Sequence, residues 1–286
     1  MSRGTGTSKH ATKAVAIIPA RFGSTRFPGK PLARETGKFL IQHVYEQVLR
    51  SQRVSRALVA TDDQRIFDAV TSFGGQAVMT RADHASGSDR LAEVAAGLTD
   101  DLILNVQGDE PEIDPADIDT LVDLIARGLS PFPQPFAEKG TVPLVGLGEN
   151  KGDSPLDCPM ATLACPYPAG GDPDDPNLVK VVLDNAGRAI YFSRSRIPFV
   201  RDVAQPPSAV SGPVYLLHRG IYAYRREFLL KFTRLSPGRL EQLEKLEQLR
   251  AIEHGYRIAV AVVGAGPAGI DTPEQYAEFV NRFDKR

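Results

Sequence analysis

Short apolar runs rich in β-branched residues alternate with amphipathic segments from Ala14 onward: AVAIIP, FLIQHVYEQVLRS, RALVAT and QRIFDAVTSF. Leu40, Val44 and Val48 recur at helical spacing between runs with the length and composition of buried strands. Two further rounds follow, QAVMT with SDRLAEVAAGL and DLILNVQG with DPADIDTLVDLIARG. In the last of these Asp114 is placed to cap a helix and Pro115 to open it. Such alternation predicts an α/β fold, a mainly parallel sheet covered by helices on both faces.

The alternation stops near Gly128. Residues 129–155 are rich in Pro and Gly without a sustained period and predict a long connection or insertion, and DVAQPPSAVSGP at 202–213 is equally irregular. Beyond them, ATLAC, KVVLDNAGRAIYFSR with its Asn-Ala-Gly turn, and VYLLHRGIYAYR read as a more antiparallel region. SPGRLEQLEKLEQLRAIEHG predicts one helix closed at Gly255. Its leucines at 240, 243, 246 and 249 suit core or subunit-interface packing, because a spacing of three keeps no heptad seam.

At 286 residues and 42% hydrophobic content the chain can bury the core of one large domain, or of a domain with an appended lobe. Lys plus Arg (34) nearly cancel Asp plus Glu (35), leaving a formal charge of -1. No global field draws the protein to nucleic acid or to a membrane surface, so an anion must be caught locally. Two cysteines, Cys158 and Cys165, lack zinc-site spacing and fit a reducing compartment. The first thirteen residues, MSRGTGTSKHATK, read as a disordered tail, with a transit-peptide fragment as the alternative. No later run reaches transmembrane length.

The local catch is the loop that leaves the first strand, AIIPARFGSTRFPGKPL. Ligands of open α/β sheets collect at the carboxyl ends of the strands. There Gly23 and Gly29 let backbone N–H groups approach an anion, while Arg21, Arg26 and Lys30 carry charge that can follow a triphosphate. A solvated basic loop is the plainer reading. It is not a P-loop, since five residues separate the glycines and Pro31, which has no hydroxyl for magnesium, follows Lys30. Metal ligands would therefore come from elsewhere. Asp109 in NVQGDEP ends another strand, and Asp271 in GIDTPEQY stands before Thr272, Pro273 and Gln275, which already supply a helix cap, first position and capping-box partner. Each aspartate alone also fits a turn or cap; together with the basic loop they suit Mg2+, which takes one or two carboxylates plus phosphate oxygens. VVGAGPAG at 262–269 matches G-x-G-x-x-G, but Pro267 and IDTP interrupt the helix that a dinucleotide site requires.

Taken in order, IIPARFGSTRFPGKPL, VATDD, TRADHASGSDRLAEV, NVQGDEP, NLVKVVLD, YFSRSRIPF, HRGIYAYR, LEKLEQLR and GIDTPE span most of the chain. They resemble the motifs of the 3-deoxy-manno-octulosonate (Kdo) cytidylyltransferases, also called CMP-Kdo synthetases. The resemblance implies a nucleotidyltransferase-like, GT-A-like fold: a Rossmann-like, mainly parallel sheet flanked by helices, with a smaller antiparallel region for dimerisation and sugar binding. It implies one cytidylyltransferase domain over 14–286, with nucleotide binding in 14–128 and sugar binding and dimerisation in 156–286. CTP and Kdo would give CMP-Kdo and pyrophosphate for lipopolysaccharide or related polysaccharide synthesis, in a cytoplasmic homodimer.

By the same resemblance Arg21, Lys30 and Asp109 are catalytic, and Arg21, Arg26 and Lys30 bind the triphosphate. Arg81, Ser86, Gly87 and Ser88 surround the cytidine, Gln107 lies nearby, and Asp109 with Asp271 holds Mg2+. Arg194, His218, Tyr222, Glu247 and Gln248 contact the sugar acid. Read by themselves, His218 and Tyr222 are equally ordinary strand residues, Glu247 and Gln248 the polar face of the leucine helix, and Arg194 its cover. Arg196 adds a second charge beside Arg194. A cytidylyltransferase for 8-amino Kdo or sialic acid, a sugar-nucleotide glycosyltransferase, and a nucleotide-sensing module without turnover are the competing readings.

Overall fold

The computed structural model describes residues 12–23, 26–127, 158–168, 170–201, 213–267 and 269–285. The connection expected over 129–155, nearly all of 202–213 and most of the N-terminal tail lie outside the described residues. Strands β1 (Ala14–Ala20), β2 (Val54–Thr61), β3 (Ala77–Met79) and β4 (Leu102–Asn105) alternate with helices α1 (Leu40–Leu49), α2 (Gln64–Ser72), α3 (Gly87–Ala96) and α4 (Pro115–Arg127). The second half adds β5 (Met160–Pro166), β6 (Lys180–Leu183), β7 (Ala189–Ser193) and β8 (Leu216–Arg225), then α5 (Arg226–Phe232), α6 (Arg239–Glu244), α7 (Leu249–Glu253), β9 (Ile258–Val262) and α8 (Pro273–Phe283). As the sequence predicts, Pro115 opens α4 and the Asp114 carboxylate accepts from the Ala116 N–H at 2.9 Å.

Both halves share one sheet, ordered β3-β2-β1-β4-β8-β5-β9, with the β6–β7 hairpin attached through β6 and β8. The strands from β3 to β4 run parallel, β8 is antiparallel to β4 and to β5, and β9 is parallel to β5. The fold is thus the Rossmann-like mixed sheet expected. Strand β1 is buried on both faces, which is why it reads as a continuous apolar run. Helices α1, α2 and α4 cover one face through residues such as Ile41, Val70 and Leu121, and α3, α5 and α7 cover the other through Leu91, Phe228 and Leu249. A third cluster, Leu40, Ile270, Tyr276 and Phe279, with Phe27 against it, ties α8 to the loop after β1. Among the described residues no helix is long and apolar enough to cross a membrane.

One expectation needs correction: the leucine segment is two short helices. Lys245 adopts a left-handed conformation (φ 54°) that ends α6. Leu243 is 65% exposed while Leu246 and Leu249 turn into the core. Glu253 folds back to accept from the Leu240 and Glu241 N–H groups at 2.8 and 3.1 Å, and Arg250 pairs with Glu241 at 2.9 and 2.5 Å. The Arg194 guanidinium donates to Glu244 O at 2.7 Å, satisfying a carbonyl that the break leaves without a helical partner.

Lys180 at the start of β6 is fully buried. Its ammonium donates to Asp175 O (2.9 Å), Leu178 O (2.6 Å) and Arg194 O, joining two stretches of irregular backbone. Replacing it strands these acceptors, so Lys180→Met should lower stability by about 2–4 kcal/mol. The urea unfolding midpoint measures this; an unchanged midpoint contradicts it.

Candidate active site

The site follows from the strand order. The sheet grows from β1 to β2 and β3 on one side and to β4 on the other, so a crevice opens beyond the carboxyl ends of β1 and β4. The basic loop leaves β1 there, and Gln107, Asp109 and Glu110 follow β4. Because β8 is antiparallel, its first half points to the same end: Tyr222 pairs with Asn105, and a register shift opposite Thr162 and Leu163 inserts Gly220 and Ile221. The buried Thr162 hydroxyl donates to Ile221 O at 2.7 Å and fixes that bulge.

Gly29, in the left-handed region at φ 71°, turns the loop back so that its N–H donates to Phe22 O at 3.1 Å. The turn drives Lys30 inward. Its ammonium, 12% exposed, donates to Asp109 Oδ2 at 2.8 Å, Ile270 O at 2.6 Å and Asp271 Oδ1 at 3.4 Å. Arg26 lies 3.0 Å from Asp271 Oδ2, and the Ile270 N–H donates to Asp109 O at 2.8 Å. Asp271 is free of capping duty, since Thr272 and Gln275 form the capping box of α8 and Gln275 Oε1 accepts from the Asp271 N–H at 2.6 Å. Two carboxylates from opposite ends of the chain therefore meet at one cation. Among the described residues no three of His, Cys, Asp or Glu gather to hold a metal. Two carboxylates open to phosphate oxygens and water fit magnesium, whereas zinc would require a fuller protein cage.

A cavity of about 280 Å³ opens beside this cluster, lined by Gly87 and Ser88 of α3, Asn105 and Gln107, Gly220, Tyr222 and Tyr224, and Glu247 with Gln248. Ser86 caps α3 in a capping box with Asp89, occupying its hydroxyl. Ser88 donates to Glu247 Oε2 at 2.5 Å, and Gln107 donates to Gly220 O at 3.3 Å. The break between α6 and α7 is what brings Glu247 and Gln248 to this wall. Phe192, His218, Tyr222 and Tyr224 form a chain of rings with centroids 5.0, 5.4 and 5.9 Å apart. Burial holds the Tyr222 phenol well above its ordinary range, with Tyr224 and Glu247 adding to it.

The structure thus gathers Lys30, Asp109, Asp271 and Arg26 at one locus, and Gly87, Ser88, Gln107, Tyr222, Glu247 and Gln248 around the adjoining cavity. Arg21 is exposed on the loop. Arg81 stands apart, paired with Asp83 at 3.3 Å over a separate depression shared with His84 and Glu93. Arg194 is turned away from the cavity lining: besides Glu244 O, its guanidinium donates to Pro176 O at 2.8 Å. Arg196 is balanced by Asp174, Nε to Oδ1 at 2.9 Å. Asn105 and Tyr224 were not singled out in the sequence. Tyr224 had a signal there, sharing with Tyr222 the period-2 face of β8.

Residues 15–258 match the protein family described as Cytidylyltransferase. A 3-deoxy-manno-octulosonate cytidylyltransferase of Syntrophobacter fumaroxidans is 49% identical over 271 residues, covering 94% of this chain and 96% of its own. An 8-amino-3,8-dideoxy-manno-octulosonate cytidylyltransferase of Shewanella amazonensis is 46% identical over 270 residues, with 93% and 97% covered. The solved structure of a CMP:2-keto-3-deoxy-manno-octonic acid synthetase complexed with CTP superimposes with a TM-score of 0.79 at 39% identity, over 96% of this chain and 99% of that one.

Burial, reinforced by the Arg219 charge, pushes the His218 imidazole down to about 3 from an ordinary 6.5. The unfolded chain then binds the proton first, so this group removes stability as pH falls from about 6.5 toward 3 and leaves it intact above. His218 should stay neutral from pH 8 to 5, its Cε1–H NMR resonance unshifted. A titration midpoint above pH 5 contradicts the assignment.

Proposed function

The chain belongs to the cytidylyltransferase family, and we propose that it transfers CMP from CTP to Kdo, forming CMP-Kdo and pyrophosphate. The observation that carries this reading is the convergence of Asp109 and Asp271 on Lys30 beside a polar cavity, in a chain 49% identical to a Kdo cytidylyltransferase. It is a nucleotidyltransferase in which the anomeric hydroxyl of the sugar acid bonds to the α-phosphorus of CTP. The bond from that phosphorus to the β-phosphate oxygen breaks, pyrophosphate departs, and the hydroxyl proton is released.

In this reading Arg21, Arg26 and Lys30 bind the triphosphate, and Lys30 and Arg21 offset the charge that builds on the leaving pyrophosphate. The Gly87 and Ser88 N–H groups at the start of α3 and the Gln107 side chain suit the nucleotide, which Arg81 reaches after leaving Asp83 and its separate depression. Asp109 and Asp271 would hold magnesium, which when bound supplies positive charge at the α-phosphate and acidity to the attacking hydroxyl. His218, Tyr222, Glu247 and Gln248 orient the sugar acid so that its hydroxyl lies in line with the scissile bond. Arg194 contacts it after exchanging its present carbonyl partners for the substrate carboxylate. The exposed apolar side chains of Ile190, Phe199 and Leu243, on and beside β7 and α6, support a homodimer through that region. The nucleotide substrate supports a cytoplasmic location, and the product a role in lipopolysaccharide or related polysaccharide synthesis.

The 8-amino analogue of Kdo is the second reading, favoured by the Shewanella relatives at 46% identity. Incubating the protein with CTP, magnesium and Kdo, 8-amino Kdo or sialic acid, followed by mass identification of the nucleotide product, separates them. CMP-Kdo and pyrophosphate are the expected products, and CTP binding with no turnover on any sugar acid contradicts the enzyme reading. Asp109→Asn should keep the fold and CTP binding while losing turnover on the order of 100-fold or more. Near-normal turnover in that variant defeats the metal assignment.

A further inference from the structure

Behind the two carboxylates lies a buried ion pair that no motif above assigns. Arg219, on β8 next to the bulge, and Glu110, which follows Asp109, have side chains each 11% exposed, with Arg219 Nη2 3.3 Å from Glu110 Oε2. Asp117 of α4 and Cys165 of β5 complete the surroundings of the guanidinium. The glycine-rich segment after β9 crosses over this pair. A Cβ on Gly266 would stand 2.7 Å from Arg219 Nη1, 3.5 Å from Nη2 and 3.6 Å from Cζ, so the Nη1 edge of the guanidinium abuts that backbone. Farther along, the same position on Gly269 would lie 3.5 Å from Asp109 O and 3.6 Å from both Asp109 Oδ1 and Glu110 Cγ. Ile270 then bonds Asp109 O, and Asp271 follows. Two glycines of the G-x-G-x-x-G pattern, Gly266 and Gly269, thus pack closely over Arg219 and Asp109, whereas a Cβ on Gly264 would meet nothing within 4 Å.

We infer that Arg219 is a positioning residue for the Asp109 and Asp271 pair. Its guanidinium is wedged between Glu110, whose backbone continues from Asp109, and the segment that leads to Asp271. It therefore sets the separation of the two carboxylates without touching substrate. A residue with that role tunes how the pair holds a divalent ion, much as outer-layer partners fix metal ligands elsewhere. The inference rests on the cytidylyltransferase reading for the identity of the ion.

The test is Mn2+ binding followed by electron paramagnetic resonance with CTP present and no sugar acid. Two variants are used: Arg219→Met combined with Glu110→Gln, which removes both members of the pair and leaves Asp117 as the remaining carboxyl beside them, and Gly266→Ala, which pushes the guanidinium aside while both charges remain. The double variant should bind Mn2+ about 10-fold or more weakly, and Gly266→Ala should weaken it in the same direction by less. CTP affinity without metal should be unchanged in both, as judged by calorimetry on samples with native circular dichroism. Unaltered Mn2+ affinity in folded Gly266→Ala protein overturns the proposal, as does an equal loss of metal-free CTP binding; should the double variant not fold, Gly266→Ala decides. Failure of the wild-type protein to make CMP-Kdo would overturn the functional reading separately, because the Mn2+ measurement needs no turnover.

Discussion

One ammonium group holds this site together. Lys30 reaches Asp109, 79 residues away, and Asp271, 241 residues away, and it is nearly buried when it does so. Two carboxylates brought to one place repel each other and lose solvation, and a shared cation offsets both costs. The fold is arranged to deliver it. Gly29 turns the loop inward, the β1–β4 crevice fixes where Asp109 emerges, and the α8 cluster of Leu40, Ile270, Tyr276 and Phe279 presses Asp271 against the loop. Without Lys30, Arg26 still faces Asp271 at 3.0 Å, but the cation shared with Asp109 is gone.

The second constraint is the direction of β8. A parallel strand there would send its end-loop to the crevice; the antiparallel one sends its own first half, with Tyr222 level with Asn105. Side chains carried on a strand are held more stiffly than those on a loop. The bulge at Gly220 then re-aims the strand, and Gln107 closes the gap through Gly220 O. From the opposite wall the broken helix brings Glu247 to Ser88, joining parts of the chain 159 residues apart. The cavity is thus bounded by one strand, one helix start and one helix break, each fixed by hydrogen bonds between a side chain and the backbone.

The strand and helix alternation of the first half was legible because each element matches its own period and carries its own cap, as with Asp114 and Pro115 in α4. The basic loop and both aspartates were legible for a related reason: strand ends in open α/β sheets are where ligands collect, and Asp271 was superfluous as a cap. The sugar-side residues were legible only through resemblance, since nothing in the spacing of His218, Tyr222 and Glu247 distinguishes a cavity wall from a core strand. The broken helix was hidden because its leucines and Gly255 satisfy a continuous helix locally; the break comes from tertiary partners, Arg194 on Glu244 O and Glu253 on the start of α6. Arg219 and Glu110 were invisible for the same reason, as an ion pair spanning 109 residues leaves no local pattern.

Charge is divided between the two parts of the site. One part gathers full charges, Lys30, Arg26, Asp109 and Asp271, which suit the proposed triphosphate and divalent ion. The part proposed for the sugar acid is kept nearly neutral by burial: the His218 imidazole is pushed down to about 3 and the Tyr222 phenol is held well above its ordinary range. His218 Nε2 lies 3.1 Å from the Thr162 hydroxyl, so the neutral imidazole keeps Nδ1 for a sugar hydroxyl, and neither it nor the neutral Tyr222 phenol competes with the phosphates for the cations. Glu247, an acid on that wall, accepts from Ser88 and lies 3.6 Å from Arg250, which limits the field it projects across the cavity. Desolvation therefore supports the reaction indirectly: it reserves the strong electrostatics for the phosphorus centre and leaves the sugar to be aligned by shape and hydrogen bonds.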